Sequence, residues 1–259
     1  MFSTIPIRSM NPVTDSVQAL ESRARSLDID QIGPALVIAP HPDDESLGCG
    51  GTIIQLRQLG YPVHVLFVSD GTMSHPNSPS YPAPRLRDLR EAEAREALQM
   101  LGVEADACTF MRLPDRRVPT AGEPGFADAV IVVIDLLNRL TPAMLLMPWQ
   151  RDPHPDHRAC WQIGQQAAQE ATMQPRILEY LIWLWELGIP DDWPQSDSTG
   201  IWRVDITDVQ TQRDQAIAAH RSQVTRLIDD DPTAFYLSPE LLAHFAPPHE
   251  LFVEQNSIP

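Results

Sequence analysis

The stretch 35–51 constrains the fold of this chain more than any other part of the sequence. It opens with the apolar run ALVIA, continues through PHPDDES, and ends in the glycine-containing LGCGG. An apolar run of this length, followed by helical spacing, is typical of a buried parallel strand that leads into a helix. Ligands bind at the carboxyl ends of such strands. The turn that carries His41, Asp43, Asp44 and Glu45 is therefore predicted to be a functional site.

The charge crowded into this turn indicates a bound cation. Three acids and a histidine lie within five residues, at a position where the backbone leaves a buried strand. Burying several carboxylates together costs free energy unless a cation or hydrogen bonds compensate. A metal ion is the simplest compensation.

The composition limits the class of protein. The chain has 259 residues, 43% of them hydrophobic and 21% charged, which suits a globular α/β protein. A formal charge of −16 argues against nucleic acid or an anionic membrane as a partner. The three cysteines are an odd number without ligand-like spacing, and no apolar run reaches membrane-spanning length. We expect a cytoplasmic protein without stable membrane insertion, and homo-oligomer formation is left open.

Strand and helix patterns alternate along most of the chain. They predict an α/β fold, a Rossmann-like three-layer sandwich with a mostly parallel sheet and a divergent C-terminal third. We expect one domain over 1–259, with an N-terminal arm (1–33), a Rossmann-like core (34–172) and a C-terminal part (173–259). Strands are predicted at 35–39, 63–68, 107–111, 143–147, 177–185 and 201–206. Helices are predicted after the first strand and at 16–27, 86–101, 127–140, 158–172 and 212–228.

Two polar clusters each begin just past the end of a predicted strand. His41 and Asp44 are three residues apart in the first cluster, and His154 and His157 are three apart in the second. Side chains at this spacing share one face of a helical turn, so each cluster can direct two groups into one crevice. Two histidines and a carboxylate form a common catalytic zinc set. Asp43 is then placed to accept a proton from metal-bound water, while the remaining histidine stabilises negative charge or protonates a leaving amine.

The amino-acid sequences of the two motifs resemble those of a known family. APHPDDE at 39–45, with HPDH at 154–157, is similar to the PIG-L/LmbE-like deacetylases, and the similarity extends from about residue 35 to HRSQ at 220–223. That family comprises zinc-dependent hydrolases on a Rossmann-like fold that remove N-acetyl groups from amino-sugar (N-acetylglucosaminyl-type) conjugates. Family members usually have alanine directly before the first histidine, where this chain has Pro40. Proline carries no chemistry, and the acids of the motif are intact.

The resemblance implies a role for each residue of the motifs. One Zn²⁺ per chain would be held by His41, Asp44 and His157. Asp43 would be the general base that activates the metal-bound water. His154 would stabilise the oxyanion together with zinc, or act as a general acid.

Four further residues are predicted to bind the small-molecule N-acetylated substrate. The resemblance points to Arg90 and Glu93, which could instead form a surface ion pair, and to His220, which could instead be a core histidine. Trp149 is proposed to stack against a sugar ring, although most tryptophans of this chain are expected in the core. The loop 72–84 is predicted to act as a lid because long proline-rich loops in compact domains are commonly functional.

Several acids near the strand ends have no assigned role from the sequence alone. Asp152 could orient a histidine or be a solvated loop acid, and Asp156 is predicted to cap a helix and face away from the site. Asp70 and Asp115 could cap turns or contact substrate. Glu45 has no derived role.

Two other functions use the same residues. A non-haem iron oxygenase also binds its metal with two histidines and a carboxylate, although such sites normally lie on β-sandwich folds. A non-catalytic ligand-binding relic is the third alternative. A dinucleotide site is disfavoured because the glycines at 48, 50 and 51 do not form GxGxxG and the neighbouring acids would repel a pyrophosphate.

Overall fold

A single eight-stranded sheet connects nearly all parts of the structure, a computed structural model that describes residues 12–195 and 198–255. The strands are β1 (Arg25–Ser26), β2 (Ala35–Ala39), β3 (Val63–Ser69), β4 (Cys108–Leu113), β5 (Met144–Pro148), β6 (Arg176–Tyr180), β7 (Thr199–Asp205) and β8 (His249–Gln255). Their order across the sheet is β1-β7-β8-β6-β5-β2-β3-β4. The strands pair in parallel except where β8 lies antiparallel between β6 and β7.

Helices cover both faces of this sheet. They are α1 (Pro12–Arg23), α2 (Asp44–Gln58), α3 (Ala83–Met100), α4 (Phe126–Leu140), α5 (Pro155–Glu170), α6 (Leu184–Leu187), α7 (Gln210–Ala219), α8 (Arg221–Val224) and α9 (Pro239–Ala243). The side chains of β2 alternate between the two resulting cores. Val37 packs in the core formed with α2, α3 and α7, whereas Leu36 and Ile38 pack in the core formed with α4 and α5. The predicted α/β three-layer fold with a mostly parallel sheet is confirmed.

The C-terminal third differs from the prediction at three places. The strand predicted at 177–185 ends at Tyr180, and α6 occupies the end of that segment. The single helix predicted at 212–228 is interrupted at His220, whose backbone (φ −77°, ψ 55°) is not helical, and helical structure ends at Val224. The tail contains β8, which the sequence analysis did not identify; its side chains Leu251 to Val253 are buried in the sheet.

The N-terminal segment is part of the packed structure. The helix predicted at 16–27 is α1, which ends at Arg23 and is followed by the short strand β1 beside β7. Leu20, Leu27 and Ile32 are buried in the core. The first residues of the predicted arm, 1–11, lie outside the described part of the chain. Among the described helices, none has the length and apolar character needed to cross a bilayer.

The order of the strands places the two predicted clusters side by side. β2 lies between β3 and β5, so the chain leaves β2 toward one edge of the sheet and later returns to β5 on its other side. Such a reversal opens a crevice at the carboxyl ends of the two central strands. The turn after β2 and the loop after β5 meet in this crevice.

Candidate active site

Asp43 lies at the start of α2 in a strained backbone conformation (φ 138°, ψ −27°). Strain of this kind costs about 1–3 kcal/mol and persists only where neighbouring contacts enforce it. The enforcing contact is made by Glu45, whose Oε2 accepts the backbone N–H of Asp43 at 3.0 Å. The other carboxylate oxygen of Glu45 accepts the hydroxyl of Ser46 at 2.7 Å and lies 3.1 Å from Nε2 of His220. Glu45 thus fixes the backbone that carries Asp43.

His41, Asp44 and His157 meet around one carboxylate oxygen. Oδ2 of Asp44 lies 3.2 Å from Nδ1 of His41 and 3.3 Å from Nε2 of His157. The same oxygen accepts the backbone N–H of His41 at 2.9 Å, which ties the turn to the first residue of α2. The structure therefore brings together the three residues predicted to hold the metal, although they come from two separate strand ends.

His154 joins this group from the start of α5. Its ring centre lies 4.8 Å from that of His41 and 5.2 Å from that of His157, and the three histidines present nitrogens within 4.8 Å of one another. The backbone N–H of Asp156 donates to Nδ1 of His154 at 3.2 Å, which places the proton of the neutral ring on Nε2. Burial, together with the positive charges of His157 and His41, lowers the pKa of His154 to about 3. His154 is therefore a neutral N–H donor.

Three more aspartates surround the histidines. Oδ1 of Asp115 and Oδ2 of Asp156 each lie 3.3 Å from Nε2 of His41. Asp156 was predicted to cap α5 and face away; that prediction is wrong, because His154 is the capping residue and Asp156 points toward His41. Asp152 accepts the backbone N–H of His154 at 2.9 Å and lies 3.5 Å from Nδ1 of His157.

The residues present fit a divalent cation. Five aspartates are almost fully buried in this small volume: Asp43, Asp44, Asp115, Asp152 and Asp156. Carboxylates at such density need a compensating positive charge. His157 is fully buried, and within the described residues neither of its ring nitrogens has a well-aligned hydrogen-bond partner. Imidazole nitrogens that make no hydrogen bond and lie beside several carboxylates match the ligands that zinc prefers.

The negative field of the aspartates also controls the protonation of the histidines. Burial acts to lower the pKa of His41, but contacts with Asp115, Asp156 and Asp44 outweigh burial and raise that pKa well above its usual value. Burial likewise acts against charge on His157, yet the carboxylates beside it raise its pKa to about 9. The site thus attracts positive charge, from protons or from a metal ion.

Arg90 contacts Asp43 from α3. Its guanidinium donates to Oδ2 of Asp43 at 3.1 Å, to the carbonyl of Pro42 at 2.6 Å and to the carbonyl of Gly71 at 2.8 Å. Burial raises the pKa of Asp43 to about 6, although the charge of Arg90 acts in the opposite direction. Arg90 lines the pocket, as its predicted role requires, and its described hydrogen bonds hold the turn that carries Asp43.

The other three predicted substrate residues lie behind the pocket rather than on its wall. Glu93 is fully buried and accepts the backbone N–H and the hydroxyl of Ser222. Trp149 is fully buried and donates its indole N–H to the carbonyl of Asp192. His220 contacts Glu45 as described above. Substrate binding by Glu93, Trp149 and His220 stays a prediction. The contacts observed for these residues hold together the segments that surround the pocket.

The site opens into a pocket with a volume of about 400 Å³. Its polar floor includes His41, Asp43, Asp44, Asp115 and His154. The pocket also takes residues from three segments to which the sequence analysis assigned no definite site residue: the loop after β4, the segment after β6 and the chain after α8. They are Asp115 and Arg116; Ile182, Trp183, Glu186 and Leu187; and Phe235 and Leu237. Met73 and Ser74 of the predicted lid loop, Leu47 of α2 and Gln223 of α8 complete the lining.

The glycines of α2 permit close packing directly behind the metal-binding turn. A Cβ atom on Gly48 would lie 2.4 Å from the ring of Tyr180, and one on Gly51 would lie 2.5 Å from Ile206. The hydroxyl of Tyr180 in turn donates to the carbonyl of Ile38 at 2.6 Å. The glycines serve packing, as expected once a dinucleotide site had been disfavoured.

Comparisons with known proteins agree with this geometry. Residues 36–168, about half of the chain, match the family described as PIG-L: GlcNAc-PI de-N-acetylase. A diacetylchitobiose deacetylase from Thermococcus kodakarensis is 27% identical over 75% of this chain and 71% of its own length. A probable N-acetyl-alpha-D-glucosaminyl L-malate deacetylase 2 from Bacillus cereus is 25% identical over 75% of this chain and 86% of its own.

A solved structure shares the fold. The N,N'-diacetylchitobiose deacetylase from Pyrococcus horikoshii superimposes with a TM-score of 0.60, at 22% identity, over 84% of this chain and 81% of its own. The family resemblance seen in the two sequence motifs is confirmed. The matched region contains His41, Asp43, Asp44, His154 and His157, so the chain belongs to the PIG-L family.

Proposed function

We propose that this protein is a zinc-dependent hydrolase that removes an N-acetyl group from an amino-sugar conjugate of the N-acetylglucosaminyl type. The coarser statement, that it is a hydrolase of the deacetylase type, follows from its family and from its named relatives. One observation supports the finer proposal most directly. A buried carboxylate, Asp43, lies in the pocket floor beside a cluster of histidines and aspartates suited to a divalent cation.

In this proposal His41, Asp44 and His157 would hold the zinc ion. Bound there, zinc would supply a Lewis acid for the amide carbonyl and for the attacking water. Asp152 lies beside His157 and keeps that ring in place. Asp115 and Asp156 do the same for His41.

Asp43 is the proposed general base. Its carboxylate lines the pocket, and its pKa near 6 leaves it mostly ionised at neutral pH while keeping it basic enough to accept a proton. The contacts of Asp43 with Glu45 and Arg90 hold it in one orientation. A base held in this way needs little reorganisation when the water attacks the carbonyl carbon.

His154 is the proposed second catalytic group. Because its Nδ1 accepts a backbone N–H, its Nε2 carries the proton and can donate to the oxygen that becomes negative as the amide is attacked. The departing amine then takes the proton that Asp43 accepted from the water, so the neutral His154 needs to donate only a hydrogen bond. Stacking on Trp183, with ring centres 5.9 Å apart, fixes the plane of the imidazole.

The two alternatives are less well supported. An iron oxygenase is not favoured, because the chain has a mostly parallel α/β sheet and its matched relatives are deacetylases. A non-catalytic relic is disfavoured because a ligand set, a base and a proton donor all face one pocket.

The test is an amine-release screen of zinc-loaded protein against glycosides of N-acetylglucosamine, with wild type beside Asp43→Asn. We expect Asp43→Asn to abolish turnover while its zinc content stays near one ion per chain. Asp128→Asn, which changes an exposed aspartate of α4 outside the pocket, is the matched control and should retain full activity. Full activity of Asp43→Asn would refute the assignment of the base. Failure of the zinc-loaded wild type on the whole panel would refute the proposed reaction.

A further inference from the structure

The wall of the pocket above its polar floor is mostly apolar, and Ser74 and Gln223 are its uncharged polar residues. Six apolar residues of the wall come from three different segments of the chain: Met73, Ile182, Trp183, Leu187, Phe235 and Leu237. The aromatic part of this wall starts at the proposed catalytic group. Trp183 stacks on His154, and Phe235 packs on Trp183 with ring centres 5.3 Å apart. An apolar surface therefore leads outward from the reacting centre.

The outer end of this wall is exposed to water. The side chain of Leu187 is 55% exposed and that of Met73 is 37% exposed, and both line the pocket. Ile189, two residues beyond Leu187, is 59% exposed. Large apolar side chains grouped at the mouth of a pocket are typical of a surface that a ligand covers. An unsubstituted sugar, which is rich in hydroxyl groups, would leave such a wall largely unused.

The charged residues of the pocket do not favour an acidic substituent. Arg90 is already bound to Asp43 and to two backbone carbonyls. The two remaining charged residues of the lining outside the floor, Arg116 and Glu186, have opposite signs. The floor itself is crowded with carboxylates, which repel an anionic group nearby.

We propose that the substrate is an N-acetylated amino sugar linked to an apolar group, an alkyl or aryl aglycone that lies against Trp183, Leu187 and Phe235. This inference rests on the proposed deacetylase function and names the class of conjugate on which that function acts. The sugar places its acetamide at the floor beside Asp43 and His154. The aglycone removes the apolar wall from water, which lowers the free energy of both the bound and the transition state.

Three glycosides of N-acetylglucosamine test the proposal: methyl, hexyl and 5-carboxypentyl, each as both anomers and below any micelle-forming concentration. We expect kcat/KM for the hexyl glycoside to exceed that for the methyl glycoside by roughly 10- to 100-fold, from the apolar area that a hexyl chain buries. The 5-carboxypentyl glycoside, of equal chain length, should fall well below the hexyl compound. A hexyl-to-methyl ratio near one, or a preference for the carboxylate, would overturn the proposal.

Two matched leucine variants test whether the preference for the hexyl glycoside arises at the mouth of the pocket. Leu187→Ser should reduce the hexyl-to-methyl ratio by roughly 3- to 10-fold, because it removes apolar surface at the mouth. Leu227→Ser changes another exposed leucine (44% exposed) that does not line the pocket, and should leave the ratio unchanged. An unchanged ratio in Leu187→Ser would contradict the placement of the aglycone.

Binding measurements separate this inference from the proposed reaction. Calorimetric titration of zinc-loaded Asp43→Asn with the same glycosides should give the hexyl compound the lower Kd, whether or not turnover occurs. If that preference is found and the wild type hydrolyses none of the three, the proposed reaction fails while apolar recognition holds. If the wild type hydrolyses all three with equal kcat/KM and Asp43→Asn binds them equally, the reaction holds and the apolar aglycone is refuted.

Discussion

The substitution Glu45→Ala is expected to impair catalysis by Asp43, although Glu45 is not a proposed substrate contact. Glu45 is fully buried, does not line the pocket, and accepts the backbone N–H of Asp43 at 3.0 Å. That contact enforces the φ of 138° at Asp43. Without it, the turn relaxes and the carboxylate of Asp43 shifts. A misplacement of roughly 1 Å in a catalytic group lowers the rate by about 100-fold.

The stability of the fold should fall as well. Glu45→Ala leaves the N–H of Asp43 buried without an acceptor, which costs about 1–3 kcal/mol, and it removes the charge-assisted contact with His220. We expect the free energy of unfolding to decrease by about 3 kcal/mol in total. Glu45→Gln retains an oxygen acceptor for the Asp43 N–H and presents its amide NH₂ to His220. It should keep kcat within about tenfold of wild type.

A double-mutant cycle distinguishes positioning from a general loss of structure. If Glu45 acts through Asp43, adding Glu45→Ala to Asp43→Asn should lower the residual kcat no further, while the decrease in unfolding free energy persists. Turnover is measured as amine release, stability by urea unfolding, and zinc content by metal analysis. Wild-type kcat in Glu45→Ala, or an additive loss of kcat in the double variant, would refute this role.

Four further substitutions probe the metal site, the packing behind it and a buried acid. His41→Asn should lose zinc and activity together. His154→Asn should keep about one zinc per chain and lose roughly 100-fold in kcat. Loss of zinc from His154→Asn would instead identify His154 as a metal ligand. Gly48→Ala forces the ring of Tyr180 aside and should destabilise the fold by about 1–3 kcal/mol in urea unfolding; an unchanged midpoint would contradict the tight packing. Burial raises the pKa of Glu179 from 4.5 to about 7, so the folded protein holds this proton more tightly than the unfolded chain does. Its contribution to the free energy of unfolding should therefore decrease by about 3 kcal/mol as the pH rises from about 4.5 to 7, and Glu179→Gln should lack this decrease. If the difference in unfolding free energy between wild type and Glu179→Gln does not change with pH, the prediction is wrong.

Local signals were enough to predict the central strands and the metal-binding turn. The apolar runs at 35–39 and 63–68 are buried on both faces of the sheet, so their composition alone distinguishes them from amphipathic segments. The acids and histidines at 41–45 and 154–157 follow strand ends, where parallel sheets place ligands. The sequence therefore determined the fold class and the central residues of the site.

Segments whose conformation depends on distant partners could not be predicted in the same way. β8 becomes a strand because the chain returns at 249–255 to fill the gap between β6 and β7, and nothing local specifies that return. The long helix predicted at 212–228 breaks at His220, whose side chain is drawn to Glu45 on another helix. Periodicity describes a helix by itself and carries no information about such a contact.

The surroundings of the catalytic groups were likewise decided by the tertiary structure. Asp156 was expected to face away from the site, yet the parallel pairing of β2 with β5 brings it next to His41. The packing buries Trp149 behind the pocket and places Trp183 on its wall, a difference that the sequence does not show. The sequence determined which chemical groups the site contains. The packing of distant segments decided which of them meet, because the distances between side chains far apart in the chain are set only when the whole sheet has formed.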